Sequence, residues 1–158
     1  CRTYRVPWHH RSHEDLAVYE QFFSVPSENP EAPGVFVEMG ALDGVTLSNT
    51  LAFERSRMNW TGVLIEANPA LCEGLRAHRS RASTTLCTGV SADFRTMQFE
   101  RGMYTSTFAA SDVIVDARKS GVKPKLIRRR GPPISVASAP LGYLLRSVGL
   151  KYVDLFSL

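Results

Sequence analysis

Val35-Phe36-Val37-Glu38-Met39-Gly40-Ala41-Leu42-Asp43-Gly44, with the run that follows over 45–57, decides the fold of this 158-residue chain. An apolar, β-rich segment ends in an acid, crosses a small-residue turn and passes into a helical pattern. That order is the strand–loop–helix unit with which Rossmann-like domains hold a nucleotide-bearing cofactor. Gly40 and Gly44 permit a tight turn and close approach of a ligand to the backbone. Glu38 offers a carboxylate to a cationic or hydroxyl group of that ligand. A dinucleotide fits poorly: G-x-G-x-x-G is replaced by Gly40-Ala41-Leu42-Asp43-Gly44, and Asp43 brings negative charge to the place of a diphosphate. S-adenosylmethionine, with an ammonium and a sulfonium but no phosphate, suits Glu38 and Asp43 better.

Working outward, Trp60-Thr61-Gly62 turns into a second strand, Val63-Leu64-Ile65-Glu66, again with an acid at its C-terminal end. In open α/β sheets ligands gather outside the carboxyl ends of the strands, so Glu66 is placed to bind a ribose diol, with Ala67 beside it. Asn68 and Pro69 then read as the cap and first residue of a helix carrying Leu71, Cys72 and Leu75. A third strand is expected over 84–90, ending in Ser91-Ala92-Asp93, where Ser91 and Asp93 would meet an adenine edge. The order β-α-β-α-β predicts a mostly parallel sheet with helices on both faces. The helix after the first strand is expected over 47–57, with Leu47, Leu51 and Phe53 inward and Ser48 and Asn49 on the ligand side of its first turn.

Before this core, residues 1–33 hold a helix starting at Ser12-His13-Glu14-Asp15, with Leu16, Val18, Tyr19, Phe22 and Phe23 on one apolar face, and then a Pro-rich loop. Residues 34–158 form the main domain. Short strands are expected over 97–100 and 104–108, an extended piece over 134–137, a helix over 141–148 and a last core strand over 152–158. The chain starts at Cys1 and stops within that apolar strand, which suggests a partial sequence.

Composition sets the outer bounds. Hydrophobic residues make up 44% of the chain, enough for one cored domain, and no apolar run approaches the roughly 20 residues of a membrane span. Cys1, Cys72 and Cys87 form no ligand spacing with His9, His10, His13 or His78, so no structural zinc site is expected. Their odd number fits reduced thiols and leans toward the cytoplasm, without excluding a secretory compartment. The net charge is +4, and Arg118, Lys119, Lys123, Lys125, Arg128, Arg129 and Arg130 cluster in a basic loop over about 116–133. A solvated loop is the simpler reading and a docking surface for an acidic partner the sharper one. No aromatic module accompanies these charges, which disfavours nucleic acid.

Phe36-Val37-Glu38-Met39-Gly40-Ala41, Asp43-Gly44, Ser48-Asn49-Thr50, Glu54, Trp60, Gly62 and Leu64-Ile65-Glu66-Ala67-Asn68-Pro69 together resemble the FkbM-type methyltransferases. Pro140-Leu141, Leu144-Leu145 and Val153-Asp154-Leu155-Phe156-Ser157-Leu158 look like the approach to that family's S-L-D-x-E-G segment. The resemblance implies a class I, Rossmann-like fold and S-adenosylmethionine-dependent methylation, usually of a hydroxyl on a sugar or other small molecule. It implies that Glu38, Gly40, Ala41, Asp43 and Gly44 line the methionine end, with Ser48 and Asn49 adjacent. Glu66 and Ala67 would serve the ribose, and Ser91 and Asp93 the adenine. Leu42 stands where many other methyltransferases carry a central glycine, and the acidic segment lies beyond Leu158. No catalytic base is assigned. The alternatives are a methyltransferase-like binding or trafficking protein without turnover, and a nicotinamide-dependent oxidoreductase, which Asp43 disfavours.

Overall fold

The computed structural model describes residues 14–24, 33–56, 58–100, 107–108 and 132–158. The basic cluster, Cys1, Ser12 and the N-terminal histidines lie outside these residues. Helix α1 (Glu14–Val18) runs into a π-helical turn, Tyr19–Phe23. Then follow β1 (Val35–Met39), α2 (Leu51–Arg55), β2 (Thr61–Glu66), α3 (Pro69–His78), β3 (Thr84–Cys87) and β4 (Gly89–Val90). Strands β5 (Arg95–Glu100), β6 (Thr107–Phe108) and β7 (Ile134–Ala139), helix α4 (Leu141–Ser147) and strand β8 (Leu155–Ser157) complete the order.

The main sheet is wholly parallel, in the order β3-β2-β1-β8. Its two central strands read as apolar runs because both faces are covered, as parallel sheets require. Alternation sends Phe36 and Leu64 to one face, where they pack with Phe53, Trp60 and Leu75 and are joined by Val18, Tyr19 and Phe23. Val37, Val63 and Ile65 go to the other face, against Ala139 and Leu144, with Leu141, Leu145 and Val148 around them. Thus α1, α2 and α3 contribute to one layer and α4 to the opposite one. This is a mixed α/β fold with an all-parallel four-stranded sheet flanked by helices, an arrangement compatible with the expected Rossmann-like one. The strand order reverses direction between β1 and β8, and that switch point is where open sheets form a ligand crevice.

Several expectations change. The third strand does not run unbroken over 84–90. Thr84–Cys87 completes the main sheet, the Thr88 hydroxyl donates to the Ala137 carbonyl at 2.8 Å, and Gly89–Val90 pairs with β7 in a second sheet, ordered β4-β7-β5-β6. The helix expected over 47–57 begins only at Leu51, because Leu47 takes a left-handed φ of 58° and is exposed. Phe22 is 71% exposed: the π-helical turn adds a residue to its ring of backbone bonds and rotates that side chain off the buried face. The last strand is three residues long. Asp154 precedes it and brackets Val35, its backbone N–H donating to the Val35 carbonyl while its carboxylate accepts from the Val35 N–H, both at 2.8 Å. Phe156 is exposed, and β8 is an outer strand of the sheet among the described residues. Two of the three cysteines are not reduced thiols: Cys72 on α3 and Cys87 at the end of β3 form a disulfide.

Candidate functional site at the tips of β1 and β2

The turn after β1 folds over the end of β2. The N–H groups of Gly40 and Ala41 both donate to the Ile65 carbonyl, at 2.9 and 3.1 Å, and the Leu42 N–H donates to Glu66 Oε2 at 2.9 Å. Gly40 (φ 71°), Leu42 (φ 50°) and Gly44 (φ 81°) are all left-handed, which makes the turn tight. Leu42, a residue with a Cβ, carries that conformation at a cost of about 1–2 kcal/mol. The two glycines then diverge in role. A Cβ at Gly44 would strike Arg79 Cγ at 2.7 Å and Leu75 Cδ1 at 2.8 Å, so Gly44 is packed against α3. A Cβ at Gly40 would meet nothing within 4 Å among the described residues, so with respect to them the bare side of Gly40 faces open space at the strand tips.

Glu38 is where the structure departs most from the sequence reading. It shares a face with Phe36 and points beneath the turn, into the layer of α2 and α3, with 4% of its surface exposed. Its Oε2 accepts from Thr50 Oγ1 (2.6 Å), Ser48 Oγ (2.9 Å) and Arg79 Nη1 (3.2 Å), and its Oε1 from the Asn49 N–H (3.0 Å). Arg79 joins it to Glu54 through Nε (3.2 Å), and Glu54 also accepts from the Ser80 N–H and the Ser83 hydroxyl. Two buried carboxyl groups therefore share one guanidinium. Glu38 is a fastener of the turn, not a group aimed at a ligand's methionine end.

Asp43 is likewise turned inward on its own loop. Oδ1 accepts from the Thr46 and Val45 N–H groups at 2.7 and 3.0 Å, and Oδ2 from the Thr46 hydroxyl at 2.9 Å. Partial burial pushes its pKa up, but the hydrogen bonds from Thr46 and Val45 and the charge of His78 together outweigh that and hold it below the usual value. Ser48 and Asn49 come before α2 rather than in its first turn. Ser48 Oγ accepts from the Leu51 N–H at 3.1 Å, and Asn49 Nδ2 reaches Ser157 Oγ at 3.1 Å, tying the turn to the tip of β8.

Glu66 stands where it was expected, at the tip of β2, with Oε1 accepting from the Asn68 N–H (2.6 Å) and Oε2 from the Leu42 N–H. Asn68 caps α3 through Ala70 N–H at 3.1 Å, so cap, acid and turn form one rigid corner. Two carboxylate oxygens offer about four lone-pair sites, and the N–H groups of Leu42, Asn68 and Ala67 take three at most. Burial raises the Glu66 pKa, partly offset by the N–H groups of Asn68, Leu42 and Ala67. Ser91 and Asp93 are not joined to this corner by any hydrogen bond among the described residues. Ser91 Oγ bonds the Asp93 carbonyl and Ser138 Oγ, and Asp93 pairs with Arg95, all at the edge of the second sheet.

The two shifted acids give stability opposite pH dependences. A raised folded pKa means that Glu66 contributes stability below its ordinary value of 4.5 and loses it as pH rises through the folded value. Asp43 contributes above 3.8 and loses its share as pH falls through its lowered value. In urea unfolding from pH 4 to 7, Glu66→Gln should therefore gain on the parent as pH rises. A difference independent of pH would contradict a raised pKa for the buried Glu66.

Sequence reasoning missed Arg79 as the partner of Glu38, and Glu54 as the second carboxylate on the same guanidinium. Arg79 lies among Arg76 and Arg81 at the end of a helix, where any of them passes for a solvated charge. Among the described residues no group of His, Cys, Asp and Glu is arranged to hold a metal ion, and no helix is long and apolar enough to cross a membrane. No protein-family model, curated protein or solved structure matches the chain.

Proposed function

We propose that this chain carries the cofactor-binding core of an S-adenosylmethionine-dependent methyltransferase of FkbM type, acting on a hydroxyl of a small molecule or glycan. The observation that carries the reading is the corner at the sheet's switch side: the bare face of Gly40, which meets none of the described residues within 4 Å, next to Glu66, whose carboxylate keeps acceptor capacity beyond its backbone N–H bonds. That acceptor fits the hydroxyl donors of a ribose diol, and the lowered pKa of Asp43 keeps a negative charge in the turn that a diphosphate would avoid.

Bound S-adenosylmethionine would supply an activated methyl group, leaving the protein the work of alignment. Glu66 would accept from the ribose hydroxyls, with Gly40, Ala41 and Ala67 presenting backbone beside it. Glu38, Arg79, Ser48 and Asn49 fix the turn from beneath, and Gly44 seats it on α3. Glu38 is thus a positioning residue in this account.

A second reading, a methyltransferase-like binding or trafficking protein without turnover, is favoured by one fact: the acid expected at the methionine end is consumed inside the protein. Calorimetric titration of the full chain separates ligand from turnover. S-adenosylhomocysteine should bind and NAD should not, and Glu66→Ala should lose about 1.5–3 kcal/mol for each charge-assisted bond removed. The same substitution strands the Leu42 and Asn68 N–H groups, so an unfolding curve accompanies it. Binding of NAD alone, or an affinity unchanged in folded Glu66→Ala, would overturn the proposal. Binding without methyl transfer to any hydroxyl acceptor would favour the second reading.

A further inference from the structure

Asn59-Trp60-Thr61 is the only Asn-x-Ser/Thr triplet in the chain with a residue other than Pro in the middle, since Asn29, Asn49 and Asn68 begin Asn-Pro-Glu, Asn-Thr-Leu and Asn-Pro-Ala. The fold puts Asn59 in the turn between α2 and β2, exposed, with φ 49°. Its side chain has no hydrogen-bond partner among the described residues. A second, independent observation concerns the compartment: the Cys72–Cys87 disulfide is a feature of chains that mature under oxidising conditions. Glycosylation of asparagine belongs to the same secretory setting.

We infer that Asn59 is the acceptor of an asparagine-linked glycan, added as the chain enters an oxidising, secretory compartment. The co-reactant is an oligosaccharide on a lipid diphosphate, held by a membrane-bound transferase. Asn59 Nδ2 forms a bond to the anomeric carbon of the first sugar, and the bond from that carbon to the diphosphate oxygen breaks. The lipid diphosphate leaves with the electron pair, and the amide proton passes to a base of the transferase.

Structure fixes the timing. Trp60 is 8% exposed and packs against Phe23 and Phe53, with ring centroids 4.8 and 4.9 Å apart, while Thr61 is the first residue of β2. A transferase can read the triplet only before β2 pairs with β1. After folding, the modified Asn59 stays on the surface. It lies just before the N-terminal end of β2, and Glu66 closes the other end five residues beyond Thr61, roughly 17 Å along the strand at about 3.3 Å per residue. The glycan therefore leaves the ligand corner free, and the inference is independent of the function proposed above.

The test is translation of the full chain, behind a cleavable secretory leader, into microsomes. Mobility is read on denatured chains so that folding of the variants does not matter. Protease-protected parent chain should show a single upward shift, removed by peptide-N-glycosidase with conversion of Asn59 to Asp. Asn59→Gln and Thr61→Ala should abolish the shift completely, and Thr61→Ser should keep it. A protected parent chain with no shift would overturn the inference, as would a shift that survives Asn59→Gln.

Discussion

Arg79→Met should cost about 3–5 kcal/mol of folding stability, the usual loss when one partner of a buried ion pair is removed. The guanidinium donates to Glu38, Glu54, Ser48, Thr50 and the Gly44 carbonyl, at 2.9 to 3.3 Å, and lies 5.2 Å from the Phe36 ring centre. Its side chain is 1% exposed. Without it, Glu38 and Glu54 remain buried with their mutual repulsion unrelieved, and the turn over β2 loses its underside. Arg79→Lys should recover little, because an ammonium cannot bridge two carboxylates with a planar fork. Salt should change the loss hardly at all, unlike that of a surface pair. Adding Glu38→Gln to Arg79→Met should restore part of the stability, since one uncompensated charge is then gone. Urea unfolding reads all of these. A loss under about 1 kcal/mol would mean that the pair behaves as a solvated one.

Removing the Cys72–Cys87 bond should cost about 3 kcal/mol, the chain-entropy value for a loop of 15 residues. That loop carries the second half of α3, Arg79 and Ser83, so the cross-link also closes the segment that delivers the guanidinium to Glu38. Cys72→Ala with Cys87→Ala should shift the unfolding midpoint by that amount, and reductant should shift the parent likewise while leaving the double variant unmoved. Both thiols reacting with an alkylating agent in the native, unreduced protein would show that the bond is not formed.

Much of the fold was legible because its signals are local. The runs Val35–Met39 and Thr61–Glu66 are apolar on both faces, as buried parallel strands must be, and Asn68-Pro69 announces α3 by cap chemistry alone. Glu66 followed from its strand-end position. The direction of Glu38 was available too, since period-two alternation puts it with Phe36 on an inward face, yet its partner Arg79 is 41 residues away and nothing in the spacing marks it. Long-range choices of this kind stayed hidden. The switch of sheets at Thr88 depends on β7 lying alongside, the shortening of α2 on Leu47 turning left-handed, and the disulfide on two elements meeting in space. Ser91 and Asp93 were assigned by assuming that the third strand ends in the main sheet, and that assumption fails at Thr88.

The central claim, that an adenosyl ligand lies over Gly40 between the tips of β1 and β2, is tested most directly by backbone amide NMR of the full chain titrated with S-adenosylhomocysteine. The account predicts saturable shifts centred on Gly40, Ala41, Leu42 and Ala67, with those at the far ends of β1 and β2, Val35 and Thr61, unmoved. No saturable shift, or shifts centred away from this corner, would contradict it.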